Sequence, residues 1–391
     1  MLYGNIMNEY KAIVNGVQVH YGVNAFDNVD TTMFRGMRWF VVTSRGGSME
    51  KYGWIAKLAE IAERVGAWLE VCKCVSTNPT VDQADEAYES AKRFKATVII
   101  GLGGGSSIDV AKAVAAGLAG QAPPSKLYRR EAPIKGSLPI VAIPSTHGAG
   151  SEVDRFAVLS DDKTRSKAAI VSTKIRPVYA ILDPRITVTL PPCLSGATVV
   201  DALSHALESF VARNANPVSR GYAREAVYLI AKGISELKKS SWKELCVRAY
   251  FLNAAMLAGA AIDISRTTLV HALEHPISYY HPEIHHGIGL AALLPAWIEY
   301  IEKAVPELVK EIVEPLQKVV GGQTASQTIK NVVEVLIGET ITLEKLGVSK
   351  DEYRVIAEDA MRYLKALVLN NPRLPKDINE VIELLQKASA G

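Results

Sequence analysis

The fold class of this chain is decided by residues 97–117, TVIIGLGGGSSIDVAKAVAAG. A β-branched run passes into consecutive glycines and then into a helical pattern, which predicts a strand, a tight turn and a helix. Gly103, Gly104 and Gly105 let a ligand approach the backbone, and free N–H groups at the helix start near Ser106 favour a phosphate. The spacing is neither GxGxxG nor a P-loop, because Ser106 replaces the last glycine and no GK[ST] follows. The segment therefore predicts a diphosphate-binding turn, with a ligand-free turn as the alternative.

The segments around this turn repeat the alternation of strand and helix. Predicted strands lie at 39–43, 68–75, 96–101 and 138–143, and predicted helices at 49–65 and within 78–94. This alternation predicts a parallel sheet with helices on both faces, whose ligands bind beyond the carboxyl ends of the strands. A second glycine-rich loop, PSTHGAGSE at residues 144–152, also follows a predicted strand. Two such loops favour a dinucleotide site more strongly than either loop alone.

The pattern changes after residues 181–192, ILDPRITVTLPP, where two prolines close a β-rich stretch. From Ser195 onward nearly every segment has helical periodicity. With 391 residues, 48% of them hydrophobic, the chain is long enough for two domains and too apolar for disorder. The sequence predicts a Rossmann-like α/β dinucleotide-binding domain over residues 1–185 and an all-helical domain over 186–391.

Charge and composition exclude several classes of partner. The 44 basic and 41 acidic side chains leave a formal charge of +3 without a Lys/Arg block, so neither nucleic acid nor a membrane surface is expected as a partner. The most apolar run, 254–262, is shorter than the roughly 20 residues of a membrane span and predicts a buried helix. The N-terminal stretch lacks a secretory-signal pattern, which favours the cytoplasm. Cys72, Cys74, Cys193 and Cys246 are therefore expected to be reduced.

The histidines are concentrated in the predicted helical domain. Five of the eight lie within sixteen residues, namely His271, His275, His281, His285 and His286. Asp201 and His205 are four residues apart on a predicted helix, and His271 and His275 repeat that spacing, so each pair faces one way. An isolated pair is usually a surface hydrogen bond, but two pairs flanked by apolar residues are costly to bury without a partner. One carboxylate with several imidazoles and no thiolate suits Fe²⁺, Zn²⁺ or another divalent ion. Such a metal beside a dinucleotide indicates hydride transfer.

The chain resembles the iron-containing (group III) alcohol dehydrogenases over roughly residues 35–300. Six motifs occur in the same order and approximate spacing: GGGSSIDVAK, PSTHGAGSE, ILDPRITVTLPP, DALSHALESF, VHALEHPIS and HHGIGLAALLP. The resemblance implies a dehydroquinate synthase-like architecture, in which the C-terminal domain, here 186–391, is the metal-binding and catalytic domain. It also implies a divalent metal held by Asp and three His in the interdomain cleft, and a homodimer.

By this resemblance the metal ligands are Asp201, His205, His271 and His286. The HHG sequence also offers His285, and the interval from His271 to His286 is one residue longer than is usual in the family. His286 is favoured because the GIGLAALLP segment that follows it then keeps its register. His275 matches a family histidine near the nicotinamide and the substrate, which implies proton relay or substrate positioning.

The resemblance also assigns contacts with the cofactor. Gly103, Gly104, Gly105 and Ser106 would hold the diphosphate, Asp109 would fix the loop, and Thr146, Ser151 and Lys167 would line the site. Family versions of the second loop more often read TTAGTGSE, so His147 and Ala149 depart from the pattern. Lys167 is assigned by spacing alone, and an exposed loop lysine is the alternative.

The choice of cofactor depends on the residue after the first predicted strand. Many relatives carry Asp there, whose carboxylate accepts hydrogen bonds from the ribose 2′-OH and repels a 2′-phosphate. This chain reads VVTSRGG, so Ser44 removes the repulsive charge and Arg45 can offset a phosphate. NADP(H) is therefore expected over NAD(H), the alternative being that Arg45 points into solvent.

Together these features predict a metal-dependent alcohol dehydrogenase or aldehyde reductase that uses Fe²⁺ and NADP(H) on a small-molecule alcohol or aldehyde. One alternative keeps the chemistry but changes the metal or the substrate: a zinc-dependent polyol dehydrogenase of the glycerol type. A more distant alternative is a dehydroquinate-synthase-like lyase, although basic substrate-binding motifs are not recognisable. A non-catalytic binding protein would retain both glycine loops and the metal set for no chemical use.

Overall fold

The computed structural model describes residues 5–390, which form two compact units. The first unit contains the residues up to 146 together with 151–189, and the second contains 147–150 and the residues from 190 onward. Residues 1–4, which belong to the stretch searched for a secretory signal, and Gly391 lie outside the described residues. The unit boundary after 189 lies close to the sequence-based boundary after 185. Segment 147–150, however, packs with the helical unit rather than with the α/β unit.

The first unit is an α/β domain. Its strands are β1 (Tyr10–Val14), β2 (Val17–Tyr21), β3 (Arg38–Ser44), β4 (Trp68–Val75), β5 (Val98–Gly103), β6 (Ile140–Pro144), β7 (Phe156–Asp161), β8 (Ser166–Val171) and β9 (Tyr179–Leu182). Its helices are α1 (Ser48–Lys51), α2 (Trp54–Arg64), α3 (Val81–Phe94), α4 (Gly105–Gly120), α5 (Pro124–Tyr128) and α6 (Pro184–Thr187), with 3₁₀ turns at Thr32–Phe34 and Thr173–Ile175.

Seven strands form one sheet in the order β1-β2-β9-β6-β5-β3-β4, and β7 and β8 form a separate hairpin. Every pairing in the large sheet is parallel except that of β1 with β2, which confirms the predicted parallel sheet. The chain runs from β3 outward to β4 and then returns to the other side of β3 as β5. The strand order therefore reverses between β3 and β5, and the carboxyl ends of such a pair form the usual ligand-binding crevice.

Several boundaries differ from the prediction. The single helix expected over 49–65 is two helices, because Gly53 adopts a left-handed conformation, with φ +80°, between α1 and α2. Strands β5 and β6 each begin two residues later than expected, at Val98 and Ile140. The N-terminal pair β1–β2 and the hairpin β7–β8 were not predicted.

The second unit is all-helical in its secondary structure, as predicted. Its helices are α7 (Pro192–Val211), α8 (Pro217–Leu237), α9 (Leu245–Ser265), α10 (Leu269–Tyr280), α11 (His286–Glu302), α12 (Pro306–Val320), α13 (Ala325–Ile337), α14 (Tyr353–Tyr363), α15 (Lys365–Val368) and α16 (Ile378–Ala390), with a 3₁₀ turn at Lys350–Glu352. Among the described helices, α9 alone is long and apolar enough to cross a membrane, but 72% of its most apolar window is buried inside the protein. That burial is typical of a core helix.

The cysteines correct one expectation. Cys72 and Cys74 form a disulfide on β4, so the prediction that all four cysteines are reduced is wrong for this pair. Residues i and i+2 of a strand project from the same face, and the Cα atoms of this pair are 5.4 Å apart, within the range that a disulfide spans. Cys193 and Cys246 are free thiols, as expected.

Candidate metal centre and cofactor site

The glycine turn after β5 is built for close backbone packing. Gly103 has φ +153°, and a Cβ atom there would lie 2.6 Å from Ser107 Oγ. A Cβ on Gly101 would lie 2.8 Å from the Cα of Ile108, so α4 can approach β5 only because this position is glycine. Helix α4 follows at once, and its first N–H groups have no partner within the helix. Ser106 donates its hydroxyl proton to Thr77 O at 2.6 Å, which leaves its backbone N–H for a phosphate.

The N-terminal end of the second glycine-rich loop, residues 144–152, contacts the glycine turn after β5. Ser145 N donates to Gly103 O at 2.8 Å, and the methyl carbon of Thr146 lies 3.3 Å from the Cβ position of Gly104. The structure therefore places Thr146 beside the proposed diphosphate turn. The tip of the loop packs elsewhere, because Gly148 and Gly150 lie against Thr198 and Gly259, where a Cβ atom would approach backbone atoms to within 2.7 and 2.4 Å.

Asp109 and Ser151 are buried in one polar cluster with Lys112. Ser151 Oγ donates to Asp109 Oδ1 at 2.5 Å, and Lys112 Nζ donates to Ser151 Oγ at 2.8 Å and to Asp154 Oδ1 at 2.6 Å. Val158 N completes the contacts of Asp109 at 3.0 Å. Burial raises the pKa of Asp109, and the charge of Lys112 opposes that rise. The bond between Ser151 and Asp109 thus ties the second glycine-rich loop to helix α4.

Lys167 lies on β8 and is only 7% exposed, so the alternative of an exposed loop lysine is wrong. Its ammonium group donates to Asn78 Oδ1 at 3.2 Å. Its charge also contributes to the electrostatic environment of Asp109. The structure therefore places Lys167 within the polar region that includes the predicted cofactor residue Asp109.

Ser44 ends β3, where the register with β4 shifts by one residue. The next residue, Arg45, has a side chain that is 55% exposed, so the alternative that it points into solvent stays open. Its backbone N–H donates to Val75 O and its Nε donates to Cys74 O, both at 2.9 Å, while its Nη2 lies 3.5 Å from Glu86 Oε2. That last pair is exposed and therefore weak. The Arg45 guanidinium group is thus held at one point, by Cys74 O, while more than half of the side chain is exposed.

Thr43, which was not among the predicted site residues, lies at the same crevice. Its side chain is 1% exposed, and its Oγ1 has no hydrogen-bond partner among the described residues. That oxygen lies 3.9 Å from the Cβ position of Gly103. Its place as the penultimate residue of β3 was the available signal, because strand ends at the point where the strand order reverses face the ligand.

Asp201 and three histidines converge in the helical unit. The distances from Asp201 Oδ1 to Nε2 of His205, His271 and His286 are 3.4, 3.6 and 3.7 Å. A tetrahedral ion with ligands about 2.0–2.2 Å away holds its donor atoms about 3.3–3.6 Å apart. Asp201 Oδ1 and His271 Nε2 are buried without a hydrogen-bond partner among the described residues. Such atoms are costly to bury unless a cation binds them, so the donor set fits a divalent metal.

The groups of the cluster differ in protonation. Burial opposes protonation of His271, but Glu208 and Asp201 raise its pKa to about 10, so a metal must displace a proton from this ring. Burial opposes ionisation of Asp201, but His205 and His271 hold the pKa of this carboxyl well below its usual range. Burial lowers the pKa of His205 to about 4, which keeps its imidazole neutral near pH 7. An ionised carboxylate and a neutral imidazole are the forms that coordinate a divalent ion.

Two buried glutamates orient the ligands, and neither was predicted. Glu208 accepts a hydrogen bond from His271 Nδ1, and Glu274 accepts one from His286 Nδ1. Both carboxylates are fully buried. A carboxylate on Nδ1 fixes the tautomer and the orientation of the ring and leaves Nε2 for the metal. The tetrapeptide HALE occurs at both 205–208 and 271–274, but its spacing carries no signal for these bonds, because each glutamate bonds a histidine on another helix.

The structure distinguishes between the two candidate histidines of HHG. His285 is the N-cap of α11, and its Nδ1 accepts from Gly287 N at 3.2 Å, whereas His286 Nε2 faces Asp201. A Cβ on Gly287 would lie 1.9 Å from Ala197 O, so a glycine there lets α11 begin directly against α7. This close approach places His286 in the cluster.

His275 lies beside the cluster, with its ring centre 5.7 Å from that of His286 and 6.1 Å from that of His271. Donor atoms of Glu274, His275 and His286 also lie within 4.8 Å of one another. Donor atoms of Asp201, His205 and His271 form a second group within the same limit, and the 3.7 Å distance from His286 Nε2 to Asp201 Oδ1 joins the two groups into one site. His275 is thus close enough to act on a substrate held there.

The remaining histidines have other contacts. His147 is buried, bonds Thr198 Oγ1 at 3.0 Å and Arg248 Nη1 at 3.2 Å, and stacks on Trp242. His20 and His281 were not assigned to the predicted site, and each pairs with the carboxylate of a glutamate.

Comparison with known proteins assigns both halves of the chain to one family. The profile described as iron-containing alcohol dehydrogenase matches residues 17–184, and that described as Fe-containing alcohol dehydrogenase family, C-terminal, matches 195–389. The chain is 35% identical to the long-chain primary alcohol dehydrogenase AdhA of Thermoanaerobacter ethanolicus, over 83% of each chain. It is 28% identical to 1,3-propanediol dehydrogenase of Klebsiella pneumoniae, over 90% of this chain and 92% of the relative. The solved structure of an iron-containing alcohol dehydrogenase from Thermotoga maritima is 29% identical, with a TM-score of 0.83 over 98% of this chain and 100% of that chain.

Proposed function

The chain belongs to the iron-containing alcohol dehydrogenase family, and we propose that it transfers a hydride between NADP(H) and a small alcohol or aldehyde, with Fe²⁺ held by Asp201, His205, His271 and His286. The observation that carries this proposal is the convergence of Asp201 Oδ1 with three imidazole Nε2 atoms at distances of 3.4–3.7 Å. No thiolate takes part, so the donors suit either Fe²⁺ or Zn²⁺. The family supports iron.

When bound, the metal supplies a Lewis acid for the substrate oxygen, and the nicotinamide gives or accepts the hydride. The residues of the chain bind and orient these groups. Glu208 and Glu274 hold two of the ligand imidazoles by their Nδ1 atoms. The backbone N–H groups at the start of α4 hold the diphosphate, and Thr146 lies beside them. A ring nitrogen of His275 exchanges the hydroxyl proton of the substrate.

The NADP(H) preference is supported by the end of β3. Ser44 brings no charge to the end of β3, and the next residue, Arg45, carries a guanidinium group that is held by Cys74 O through Nε and is 55% exposed. A bidentate guanidinium group recognises phosphate more specifically than a lone ammonium does. NAD(H) is the alternative, and a direct comparison of activity with the two cofactors distinguishes between them.

Two further alternatives share parts of this site. A zinc-dependent polyol dehydrogenase would use a different ion and a diol, and different motifs around the histidine of the HG sequence would be expected in it. A dehydroquinate-synthase-like lyase would use the dinucleotide and the metal for a cyclisation, and the similarity to alcohol and propanediol dehydrogenases disfavours it. The homodimer and the cytoplasmic location are proposals that rest on the sequence.

The experiment is an aldehyde-reduction assay on metal-stripped protein under anaerobic conditions. The protein is reconstituted with Fe²⁺ or Zn²⁺ and supplied with NADPH or NADH across aldehydes of increasing chain length and a set of diols in the reverse direction. Turnover that is fastest with Fe²⁺ and NADPH supports the whole proposal. Faster turnover with Zn²⁺ and diols favours the polyol alternative. A preference for NADH refutes only the proposal that Ser44 favours NADP(H). The absence of turnover with every combination overturns the proposed activity.

A further inference from the structure

The glutamate of each HALE segment, 205–208 and 271–274, bonds a histidine outside its own segment. Each segment carries a ligand, His205 or His271, followed three residues later by a glutamate on the same helical face. The glutamate does not bond the histidine of its own segment. Glu208 bonds His271, and Glu274 bonds His286, so each carboxylate orients the ligand that comes next along the chain.

Glu274 is held tightly where it meets His286. It lies on α10, is fully buried, and accepts hydrogen bonds from His286 Nδ1 and from Ser278 Oγ. The space that it occupies is left by Gly289, where a Cβ atom would lie 2.9 Å from Glu274 Oε1 and 3.0 Å from its Cγ. The glycine spacing of HGIG therefore has a physical role, because any side chain at 289 would displace the carboxylate.

His286 is the metal ligand with the least packing around its side chain. It is 23% exposed, compared with 4% for His271, 7% for His205 and 10% for Asp201. It is also the first residue of α11, whereas the other ligands lie inside helices. Its ring is less enclosed than the side chains of the other ligands, so the contact at Nδ1 has more influence on where Nε2 points.

We propose that Glu274 is a positioning residue that holds His286 as the fourth metal ligand, and that Gly289 provides the room for it. This inference rests on the four-ligand set of the proposed function. Loss of the carboxylate, or its displacement by a methyl group at 289, leaves a centre with three well-oriented ligands. Glu208 is a poorer subject for the test, because it also accepts hydrogen bonds from the backbone and side chain of Thr268.

The test measures the binding of Co²⁺ to metal-free full-length protein by competition with a chromophoric chelator. The variants are Glu274→Gln and Gly289→Ala, which affect the contact by charge and by space respectively. The matched control is Gly221→Ala on α8, where a Cβ atom would meet nothing within 4 Å. His286→Ala measures the full contribution of the ligand, and circular dichroism checks that each variant is folded.

We expect Glu274→Gln and Gly289→Ala to weaken Co²⁺ binding by about 10- to 100-fold, while Gly221→Ala binds as the wild type does. The visible absorption of bound Co²⁺ should lose the intensity of a four-ligand tetrahedral site in both variants, and Glu274→Asp should recover part of it. A change confined to fold stability would leave this spectrum unaltered. If Glu274→Gln fails to fold, Gly289→Ala gives the result independently.

The outcomes separate this inference from the proposed function. If His286→Ala weakens binding while Glu274→Gln and Gly289→Ala bind as the wild type does, the ligand set stands and the role of Glu274 is overturned. If His286→Ala itself binds Co²⁺ as the wild type does, His286 is not a ligand, and both the four-ligand set and this inference fail.

Discussion

Glu208 on α7 accepts a hydrogen bond from Nδ1 of His271 on α10, and both side chains are buried. The same carboxylate accepts from Ser204 Oγ at 2.8 Å and from the backbone and hydroxyl of Thr268 at 2.6 and 2.8 Å. One residue thus joins two helices of the metal centre and turns His271 Nε2 toward Asp201. The hydrogen bonds of Glu208 therefore fix the orientation of His271 from within the helical unit.

Replacing Glu208 with Ala should destabilise the metal-free protein by about 3 kcal/mol or more, because it leaves several buried donors unpaired. Urea unfolding measures this loss. Ser204→Ala, which removes one hydrogen bond of the same carboxylate, is the matched control and should cost about 1 kcal/mol. Equal losses in the two variants would show that Glu208 does not organise the network.

Lys112→Met should destabilise the α/β unit by about 3–5 kcal/mol, because it leaves the buried carboxylate of Asp154 without its cation. The double variant Lys112→Met/Asp154→Asn removes both charges and should recover part of the loss. Thermal or urea unfolding of the two single variants and the double variant gives the coupling between the residues. Strictly additive losses would contradict the buried pair.

The pair of Arg129 and Asp161 predicts a pH dependence of stability. Arg129 donates to both carboxylate oxygens, at 2.8 and 2.7 Å, and lowers the pKa of Asp161. Because the pKa of Asp161 is lower in the folded state, its contribution is complete above the unfolded value of about 3.9 and is lost as the pH falls through the folded value.

Asp161→Asn should therefore lower the free energy of unfolding at pH 7 by about 2 kcal/mol. The gap between variant and wild type should narrow as the pH falls below about 4. Urea unfolding at a series of pH values measures the gap. A gap that stays constant, or that widens in acid, would contradict the assigned direction.

Ser44→Asp should reverse the cofactor preference. A carboxylate about 4 Å from a 2′-phosphate near the protein surface repels it by several kcal/mol, so kcat/KM for NADPH should fall about tenfold or more relative to that for NADH. Steady-state kinetics with both cofactors measure the ratio. Ser240→Asp, on an exposed residue of the helical unit, is the charge control. An unchanged ratio in Ser44→Asp would show that the 2′-phosphate binds elsewhere.

Much of the fold could be predicted from periodicity. The strands next to the glycine loops are buried β-branched runs, and the order of strand and helix predicts parallel pairing. The packing of residues 147–150 could not be predicted, because Gly148 and Gly150 lie against residues that are distant in sequence. The break at Gly53 has a local cause, the left-handed backbone conformation of this glycine, which helical periodicity does not register. The disulfide was missed because the prediction relied on the compartment and on the poor fit of the one-residue spacing to a CxxC pair. It did not consider that Cys72 and Cys74 share one face of a strand.

The candidate metal site, too, could be predicted only in part from the sequence. Helical spacing could pair Asp201 with His205, since both lie on one helix, and the resemblance supplied His271 and His286. The roles of Glu208 and Glu274 could not be predicted from spacing, because each bonds a histidine on a different helix or in a different helical segment. Long-range partners of this kind become visible only when the helices are packed.

The central claim is that Asp201 and three histidines hold the catalytic metal. The most direct measurement is an anomalous difference map at the iron edge from crystals of Fe²⁺-reconstituted protein grown without oxygen. The account predicts one strong peak about 2.0–2.2 Å from an Asp201 oxygen and from Nε2 of His205, His271 and His286. A peak ligated through His285, or the absence of iron from this cluster in a protein that turns over, would contradict it.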